Sequence, residues 1–477
     1  MNAPRLVVAA PASGGGKTTL TLGLLHALRA GGRTVQAFKC GPDYIDPGHH
    51  AAVTGRASHN LDPWMLGPDT CRSIFGQYAV DADLSVIEGV MGLFDGRFDP
   101  DGLDAAFPPE GSTAHLAQCL DAPILLALDV RSQAASAAAT VIGFRDLVPS
   151  LRVAGVVLNR VGSERHGRMV RQAIEERTGL PVLGALPRAS DVAIPERHLG
   201  LHLAEEDCTP YAVAGDLVRA HVDLDRVERI ARDAPALTSH ADALFPQQCG
   251  APGADAGPDG PRARVAVARD AAFSFAYPVN LDLLAAHGAE VVPFSPLADE
   301  PAPDGAGLVY IPGGYPELHA GTLAGNARFR ASLTDHAARG GAVLGECGGL
   351  MLLGEELVDL EGRRHAMPGL LPLRTHMSKQ RLTLGYVDVE TVQETLLAPP
   401  GTRWRGHEFH YSTVESLGGL APCWTLRKGG EANATPDGWQ AGRVLAGYLH
   451  LHFAAVPGLP ARLVALARDA AGGEPRS

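Results

Sequence analysis

The sequence predicts two α/β domains in tandem, and three features lead there. Its 477 residues amount to about three typical domain lengths of ~150 residues, enough for two or three domains. Short apolar runs alternate with helical segments on both sides of a single breaker-rich stretch. The 56 Gly and 36 Pro, against 13 Phe and 4 Trp, favour many short elements and turns over a few long helices.

The first domain is expected over 1–235, with strands at 6–10, 34–40, 84–90, 124–130 and 154–158. Between the first two, Leu20, Leu24 and Leu28 mark one face of a helix over 17–30, closed by Gly31 and Gly32. Near-continuous apolar strands separated by helices imply a parallel sheet covered on both faces. Residues 236–262 carry Gly-Ala-Pro-Gly-Ala-Asp-Ala-Gly-Pro-Asp-Gly-Pro, too rich in breakers for a core, and read as a linker. Strands resume at 265–268, 290–294, 308–311 and 342–345, so a second α/β domain is expected over 263–477, ending in a frayed tail.

Lys plus Arg is 41 and Asp plus Glu is 53, a net charge of −12. Such a chain is a poor candidate for sequence-independent nucleic-acid binding, which requires phosphate neutralisation. An anionic substrate must therefore meet its positive contacts in a local site. The seven cysteines are scattered and form no Cys-x-x-Cys pair, which supports neither a disulfide framework nor a zinc knuckle. No basic region with a cleavable apolar run opens the chain, and no stretch approaches a membrane span. A cytoplasmic protein with no membrane partner is expected.

The first strand runs into Pro11-Ala-Ser-Gly14-Gly15-Gly16-Lys17-Thr18-Thr19 and then a helix. This is the phosphate-loop pattern G-x-x-x-x-G-K-[ST], with Pro11 in place of the first Gly. The glycines let backbone N–H groups turn around a polyphosphate at a helix N-terminus. Lys17 can reach the β and γ phosphates, and the Thr18 hydroxyl can ligate Mg²⁺. The competing reading, a Gly-rich turn with an incidental lysine, leaves the ordered strand, glycines, Lys-Thr and helix unexplained.

Glu88 closes an apolar strand, where an acid suits Mg²⁺ or its water; the bland alternative is a strand-end acid facing solvent. Lys39 ends the second strand and precedes Gly41-Pro-Asp43-Tyr44-Ile-Asp46-Pro47. Two carboxylates three residues apart beside a lysine can bind a metal or position a carboxyl substrate. Turn chemistry alone would also produce Gly-Pro-Asp and Asp-Pro-Gly.

In the second domain, Gly345-Glu-Cys347-Gly348-Gly349 places a cysteine between an apolar strand and a helix start. A sharp strand-to-helix turn exposes a nucleophile, and the helix N-terminus is expected to lower its thiol pKa. Upstream, Gly313 and Gly314 can aim N–H groups at an oxyanion together with Gly348. Tyr448-Leu-His450-Leu-His452-Phe453 offers two histidines; read as a strand, only one of them faces Cys347. A buried structural cysteine is the alternative, but it leaves the elbow and the upstream glycines without a role. Arg405-Gly-His407-Glu-Phe-His410 lacks the His-Glu-x-x-His spacing of a zinc site and reads as strand or substrate-lining histidines.

These strings, with Glu88-Gly-Val-Met-Gly-Leu-Phe-Asp95-Gly96, Ile194-Pro-Glu-Arg-His198-Leu-Gly-Leu201 and Gly313-Gly-Tyr-Pro-Glu317, resemble the cobyrinic and hydrogenobyrinic acid a,c-diamide synthase family over nearly the whole chain. The phosphate loop alone is common to many ATPases; the Gly-Pro-Asp-Tyr-Ile-Asp-Pro and Pro-Glu-Arg-His-Leu-Gly-Leu strings are far more specific. The resemblance implies an N-terminal P-loop NTPase domain similar to dethiobiotin synthetase and a C-terminal class I-like glutamine amidotransferase domain. It implies ATP, L-glutamine and a corrinoid polycarboxylate as partners, Mg²⁺ as cofactor, and leaves room for a homodimer. Cys347 would be the nucleophile and His450 its base, with Gly314 and Gly348 as oxyanion donors. Gly14, Gly15, Gly16, Lys17, Thr18, Thr19 and Asn159 would bind ATP, Asn159 at the adenine. Thr18, Glu88 and Asp46 would hold the metal, while Lys39, Asp43, Tyr44, Asp95 and His198 would line the substrate or phosphoryl-transfer loop. One departure stands out: many class I amidotransferases follow the histidine with Pro-Glu to complete a triad, whereas Leu451-His452 follows here.

Three rivals compete. A partitioning-type P-loop ATPase carries a signature lysine early in the loop, where positions 12–15 are Ala, Ser, Gly and Gly, and has no thiol domain. Cobyric acid synthase pairs similar domains, but the Gly-Pro-Asp-Tyr-Ile-Asp-Pro loop argues against it. A regulatory module with a dead site does not fit intact Cys347 and His450.

Overall fold

A computed structural model describes residues 2–97, 107–188, 209–238, 244–246, 263–380, 382–429 and 433–471. The chain divides into two compact units, Met1–Leu244 and Phe245–Ser477.

Among the described residues the first unit is built on seven strands: β1 (Arg5–Ala9), β2 (Val35–Cys40), β3 (His59–Leu61), β4 (Leu84–Glu88), β5 (Ile124–Asp129), β6 (Val153–Val161) and β7 (Val182–Pro187). They form one sheet in the order β3-β2-β4-β1-β5-β6-β7, and every pairing is parallel. β1, β2 and β4 are buried along their whole length, as apolar strands covered by helices on both faces must be. The helix Lys17–Ala30 buries Leu20, Leu24 and Leu28 against this sheet, each side chain contributing about 1.5–3 kcal/mol of hydrophobic stabilisation. β3, only three residues long, and β7 carry too little pattern to be read from sequence.

The order β2-β4-β1 positions the site. In the parallel register Lys39 is the partner of Glu88 on β4, and Glu88 is the partner of Val8 on β1. Residues level across adjacent parallel strands project to the same face, so the ends of three strands bring Lys39, Glu88 and the phosphate loop together.

Among the described residues the second unit has thirteen strands: β8 (Ala263–Ala268), β9 (Ala289–Phe294), β10 (Leu308–Ile311), β11 (Ala342–Glu346), β12 (Glu356–Val358), β13 (Arg364–Ala366), β14 (Leu373–Met377), β15 (Thr383–Thr391), β16 (Arg403–His410), β17 (Ser412–Ser416), β18 (Pro422–Arg427), β19 (Thr435–Ala441) and β20 (Val444–Gly447). The main sheet runs β16-β15-β18-β19-β20-β11-β10-β8-β9. From β9 to β20 its pairings are parallel, and from β20 to β16 they are antiparallel. A four-stranded sheet, β13-β12-β14-β17, lies beside it in sequence. The parallel half contains all four strands expected from sequence; the antiparallel half is additional. Its core gathers Val309, Ile311, Val343, Leu350, Leu352 and Leu353.

One expectation is overturned here. His450 and His452 do not alternate along a strand, because β20 ends at Gly447. His450 instead makes a single bridge to His407, and both His450 and His452 are buried. Among the described residues no helix is long and apolar enough to cross a membrane.

Candidate active sites

The phosphate loop links β1 to the helix Lys17–Ala30. Gly16 sits at φ 92°, in the left-handed region, and a Cβ there would meet Asn159 Nδ2 at 2.0 Å; only glycine satisfies both conditions. Asn159 Nδ2 donates to the Gly15 carbonyl at 3.1 Å. Arg160 Nη1 donates to the Gly14 carbonyl at 2.8 Å and to Asp129 Oδ2 at 2.6 Å. Asn159, expected at the adenine, thus packs on the loop itself. Lys17 is buried, and its Nζ donates to the carbonyls of Met91 and Ala12. Burial, then the neighbouring Lys39, pull its ammonium below the usual lysine range. Thr18 and Thr19 lie in the first turn, partly buried.

Glu88 is fully buried, so the solvent-facing reading fails. Thr18 Oγ1 donates to Glu88 Oε1 at 2.6 Å. Lys39 Nζ lies 3.3 Å from the same oxygen, donates to the Gly89 carbonyl at 3.2 Å and pairs with Asp46. Asp43 Oδ2 is 3.9 Å from Lys39 Nζ. Burial alone would pull Lys39 down, but Asp46, Glu88 and Asp43 outweigh it and raise its pKa above the usual lysine value.

Asp43 also caps the helix Ile45–Thr54, accepting from the backbone N–H groups of Ile45 at 2.9 Å and Asp46 at 3.3 Å. Turn chemistry and cluster chemistry therefore share one residue. Burial, then Asp46, push the Asp43 carboxyl up to about 7. Against its own burial, Asp46 is held below the usual carboxylate range by Lys39 and His50. Tyr44 is partly buried at the start of the same helix. Asp95 Oδ2 accepts from the Gly92 N–H at 2.8 Å, fixing the loop after β4 within electrostatic reach of Lys17. His198 lies outside the described residues.

Sequence reasoning missed His50. Its Nε2 lies 2.7 Å from Glu88 Oε2 and its Nδ1 3.0 Å from Ser58 Oγ, so it buttresses the far oxygen of Glu88. The signal was there: His50 is four residues from Asp46 on one helix, hence on the same face.

The second site forms where β11 meets the short helix Gly348–Leu353. Cys347 has φ 48° and ψ −97°, a strained conformation that non-glycine residues adopt where surrounding structure enforces it. The Gly348 N–H favours the thiolate form of Cys347. A Cβ on Gly348 would lie 3.0 Å from the Gly314 nitrogen, so the two expected oxyanion donors are close neighbours. Burial, then Glu317, push the thiol well above its usual value. This reverses the expectation of a thiol acidified by the helix N-terminus: desolvation of a thiolate outweighs one turn of helix dipole. The thiol therefore rests protonated.

Cys347 Sγ approaches the Phe409 carbonyl at 3.6 Å, and His450 also hydrogen-bonds the Phe409 backbone. Both side chains thus meet at one carbonyl at the end of β16. Burial pulls His450 down to about 4, leaving a neutral imidazole able to accept a proton at pH 7. Burial, then His450 and Lys428, likewise lower His407 to about 3. Among the described residues no group of three or more His, Cys, Asp or Glu could hold a metal ion.

Comparison with known proteins gives the class first. Residues 6–201 match the CobQ/CobB/MinD/ParA nucleotide binding domain, and residues 264–457 match the CobB/CobQ-like glutamine amidotransferase domain. The chain is therefore a P-loop nucleotide-binding unit joined to a glutamine amidotransferase unit, which a partitioning ATPase alone does not account for.

It is 48% identical over 455 residues to hydrogenobyrinate a,c-diamide synthase of Rhodobacter capsulatus, covering 94% of this chain and 98% of that one. It is 40% identical over 475 residues to cobyrinate a,c-diamide synthase of Dehalococcoides mccartyi, covering 98% and 99%. With hydrogenobyrinate a,c-diamide synthase of Streptomyces coelicolor it shares 42% over 487 residues, covering 97% of each. The chain belongs to the cobyrinate/hydrogenobyrinate a,c-diamide synthase family.

Proposed function

We propose that this enzyme uses ATP and glutamine to convert the a and c carboxylates of cobyrinate or hydrogenobyrinate into amides, as a cytoplasmic ligase of cobalamin biosynthesis. The observation that carries the reading is the pairing, on one chain, of a phosphate loop beside a carboxylate–lysine cluster with a strained thiol elbow. Residues 1–235 carry nucleotide and corrinoid chemistry and residues 263–477 carry glutamine hydrolysis, joined by 236–262.

In the glutaminase, Cys347 Sγ attacks the carboxamide carbon of glutamine while His450 takes the thiol proton. The N–H groups of Gly348 and Gly314 hold the developing oxyanion. His450 returns the proton to the departing nitrogen, which leaves as ammonia, and water then cleaves the thioester to glutamate.

In the other unit, a carboxylate is a poor acyl donor, so the γ-phosphoryl group of ATP is transferred to it. Ammonia displaces phosphate from the acyl phosphate to give the amide, and a second round amidates the second carboxylate. Gly14, Gly15, Gly16, Lys17 and Thr19 cradle the polyphosphate, with Asn159 beside the nucleotide. Lys39, Asp43, Tyr44 and Asp95 line the substrate side, and the family resemblance assigns His198 to the same role.

The Thr18 hydroxyl and the Glu88 and Asp46 carboxylates are a hard-oxygen donor set of the kind Mg²⁺ takes, and a cation, the Lys39 ammonium, already lies among those carboxylates. These residues fit the ion, which when bound neutralises charge on the phosphates.

Incubation with cobyrinate and with hydrogenobyrinate separately, each with ATP, Mg²⁺ and glutamine, tests the reading. A product lighter by two carboxylic-acid-to-amide exchanges with at least one substrate is expected; two unchanged substrates would overturn it. Light scattering of the same preparation tests a homodimer.

A further inference from the structure

A glutaminase needs its imidazole fixed in place, yet His450 is followed by Leu451 and His452, neither of them an acid. It also lies beyond the end of β20, so a single bridge to His407, not a continuous ladder, ties its backbone to the sheet. Three buried polar side chains replace the ladder.

Asp437, on β19, accepts from the N–H groups of Tyr448 at 3.0 Å and Leu449 at 3.3 Å. Glu346 Oε2, at the end of β11, accepts from the Leu451 N–H at 3.3 Å. Asn280 donates to the Leu451 carbonyl at 2.7 Å and accepts from the Phe453 N–H at 2.8 Å. The His450 N–H itself goes to the His407 carbonyl at 2.9 Å. Asn280, Glu346 and Asp437 are 0%, 1% and 2% exposed. Burying such groups is costly unless their hydrogen bonds are made, and here those bonds converge on one short backbone segment.

Glu346 has a place the other two lack. It is the covalent neighbour of Cys347, and its carboxyl group holds the residue next to His450. Its other oxygen accepts from the Tyr310 hydroxyl at 3.0 Å, which fixes the carboxyl group from behind.

We propose that Glu346 is the positioning residue of the Cys347–His450 pair: it ties the nucleophile's elbow to the backbone of the base and fills the orienting role that no acid following His450 can fill. The inference rests on reading Cys347 as nucleophile and His450 as base. Glu346 touches no reacting atom and acts only through the segment it holds.

The test is Glu346→Gln, which keeps the shape but exchanges a carboxyl oxygen for an amide nitrogen, with Tyr310→Phe as a milder second variant that frees the carboxyl group. Product formation is measured with glutamine and with ammonium chloride as nitrogen source. For Glu346→Gln, kcat with glutamine should fall by about 10²-fold, the scale of a small misplacement of a catalytic group. The KM for glutamine should hardly move, and ammonia-dependent amidation should continue at the parent rate. Tyr310→Phe should show the same split with a smaller loss. Glutamine use at the parent rate in both variants would overturn the proposal. So would a parallel loss with both nitrogen sources in the two variants, which would make Glu346 a residue of the fold. Cys347→Ala, run alongside, separates the readings: glutamine-dependent product from that variant would remove the nucleophile assignment whatever Glu346→Gln does.

Discussion

Thr18 and Glu88 meet at 2.6 Å, the hydroxyl of the first donating to a carboxylate oxygen of the second across 70 residues of chain. The contact joins the phosphate loop to the end of β4. Because the other Glu88 oxygen is held by His50, the carboxylate cannot rotate away. An acid so fixed beside the loop's hydroxyl is where the first prediction lies.

Glu88→Gln keeps the shape and removes one negative charge. Amidation with either nitrogen source should slow by about 10²–10⁴-fold, as for loss of a catalytic group. The Mg²⁺ concentration giving half-maximal rate should rise, which titration of the variant measures. Parent behaviour in both respects would make Glu88 a purely structural acid.

Lys17→Ala should abolish turnover with glutamine and with ammonia alike, because neither nitrogen source bypasses phosphorylation. A loss of about 10³-fold is the scale of removing a charge stabiliser. Measurable ammonia-dependent product at the parent rate would contradict the phosphate assignment.

Cys347→Ala should stop glutamine-dependent amidation and leave the ammonia-dependent reaction largely intact, since the two chemistries use different side chains. His450→Ala should follow the same pattern. His452→Leu should retain glutaminase activity, and an exchange of phenotypes between the two histidines would reverse their assignment.

His452 also makes a pH prediction. Its ring is 2% exposed with neither nitrogen hydrogen-bonded among the described residues, and burial pulls it down to about 3 from an ordinary 6.5. The unfolded chain therefore takes up this proton first. The stability this group contributes is intact above pH 6.5 and is lost as pH falls towards 3. Relative to His452→Leu, the parent should lose about 1.4 kcal/mol per pH unit through that window. Urea unfolding followed by tryptophan fluorescence checks it, since Trp404, Trp424 and Trp439 all lie in the second unit. Parallel stability curves for the two proteins would exclude it.

Asp43→Asn and Asp46→Asn both weaken the hold on Lys39 and should impair amidation, one carboxylate more than the other. A monoamide should accumulate and be visible by mass. Diamide formation at the parent rate in both variants would reduce these acids to the helix-capping and turn roles.

What the sequence determined by itself is local. The phosphate loop, the Asp43–Asp46 turn and the Cys347 elbow are runs of adjacent residues, and covalent connection with the steric rules of glycine and proline fixes their shape. Apolar strands alternating with a helical face were enough for two α/β units and for most parallel strands. The antiparallel half of the second sheet was not legible, because its strands are half-exposed and carry no continuous apolar run, and their pairing depends on partners far along the chain.

Tertiary structure alone decided which side chains meet and in which charge state. Sheet order β2-β4-β1 brings Lys39 beside Glu88, and helix packing adds His50 behind it. The end of β20 at Gly447, with Asp437, Glu346 and Asn280 catching the segment beyond, sets His450 where no strand alternation would have put it. The thiol of Cys347 was expected to be acidic from its helix start, yet burial raises it. Desolvation depends on every neighbour a side chain acquires on folding, and one-dimensional spacing carries no measure of it.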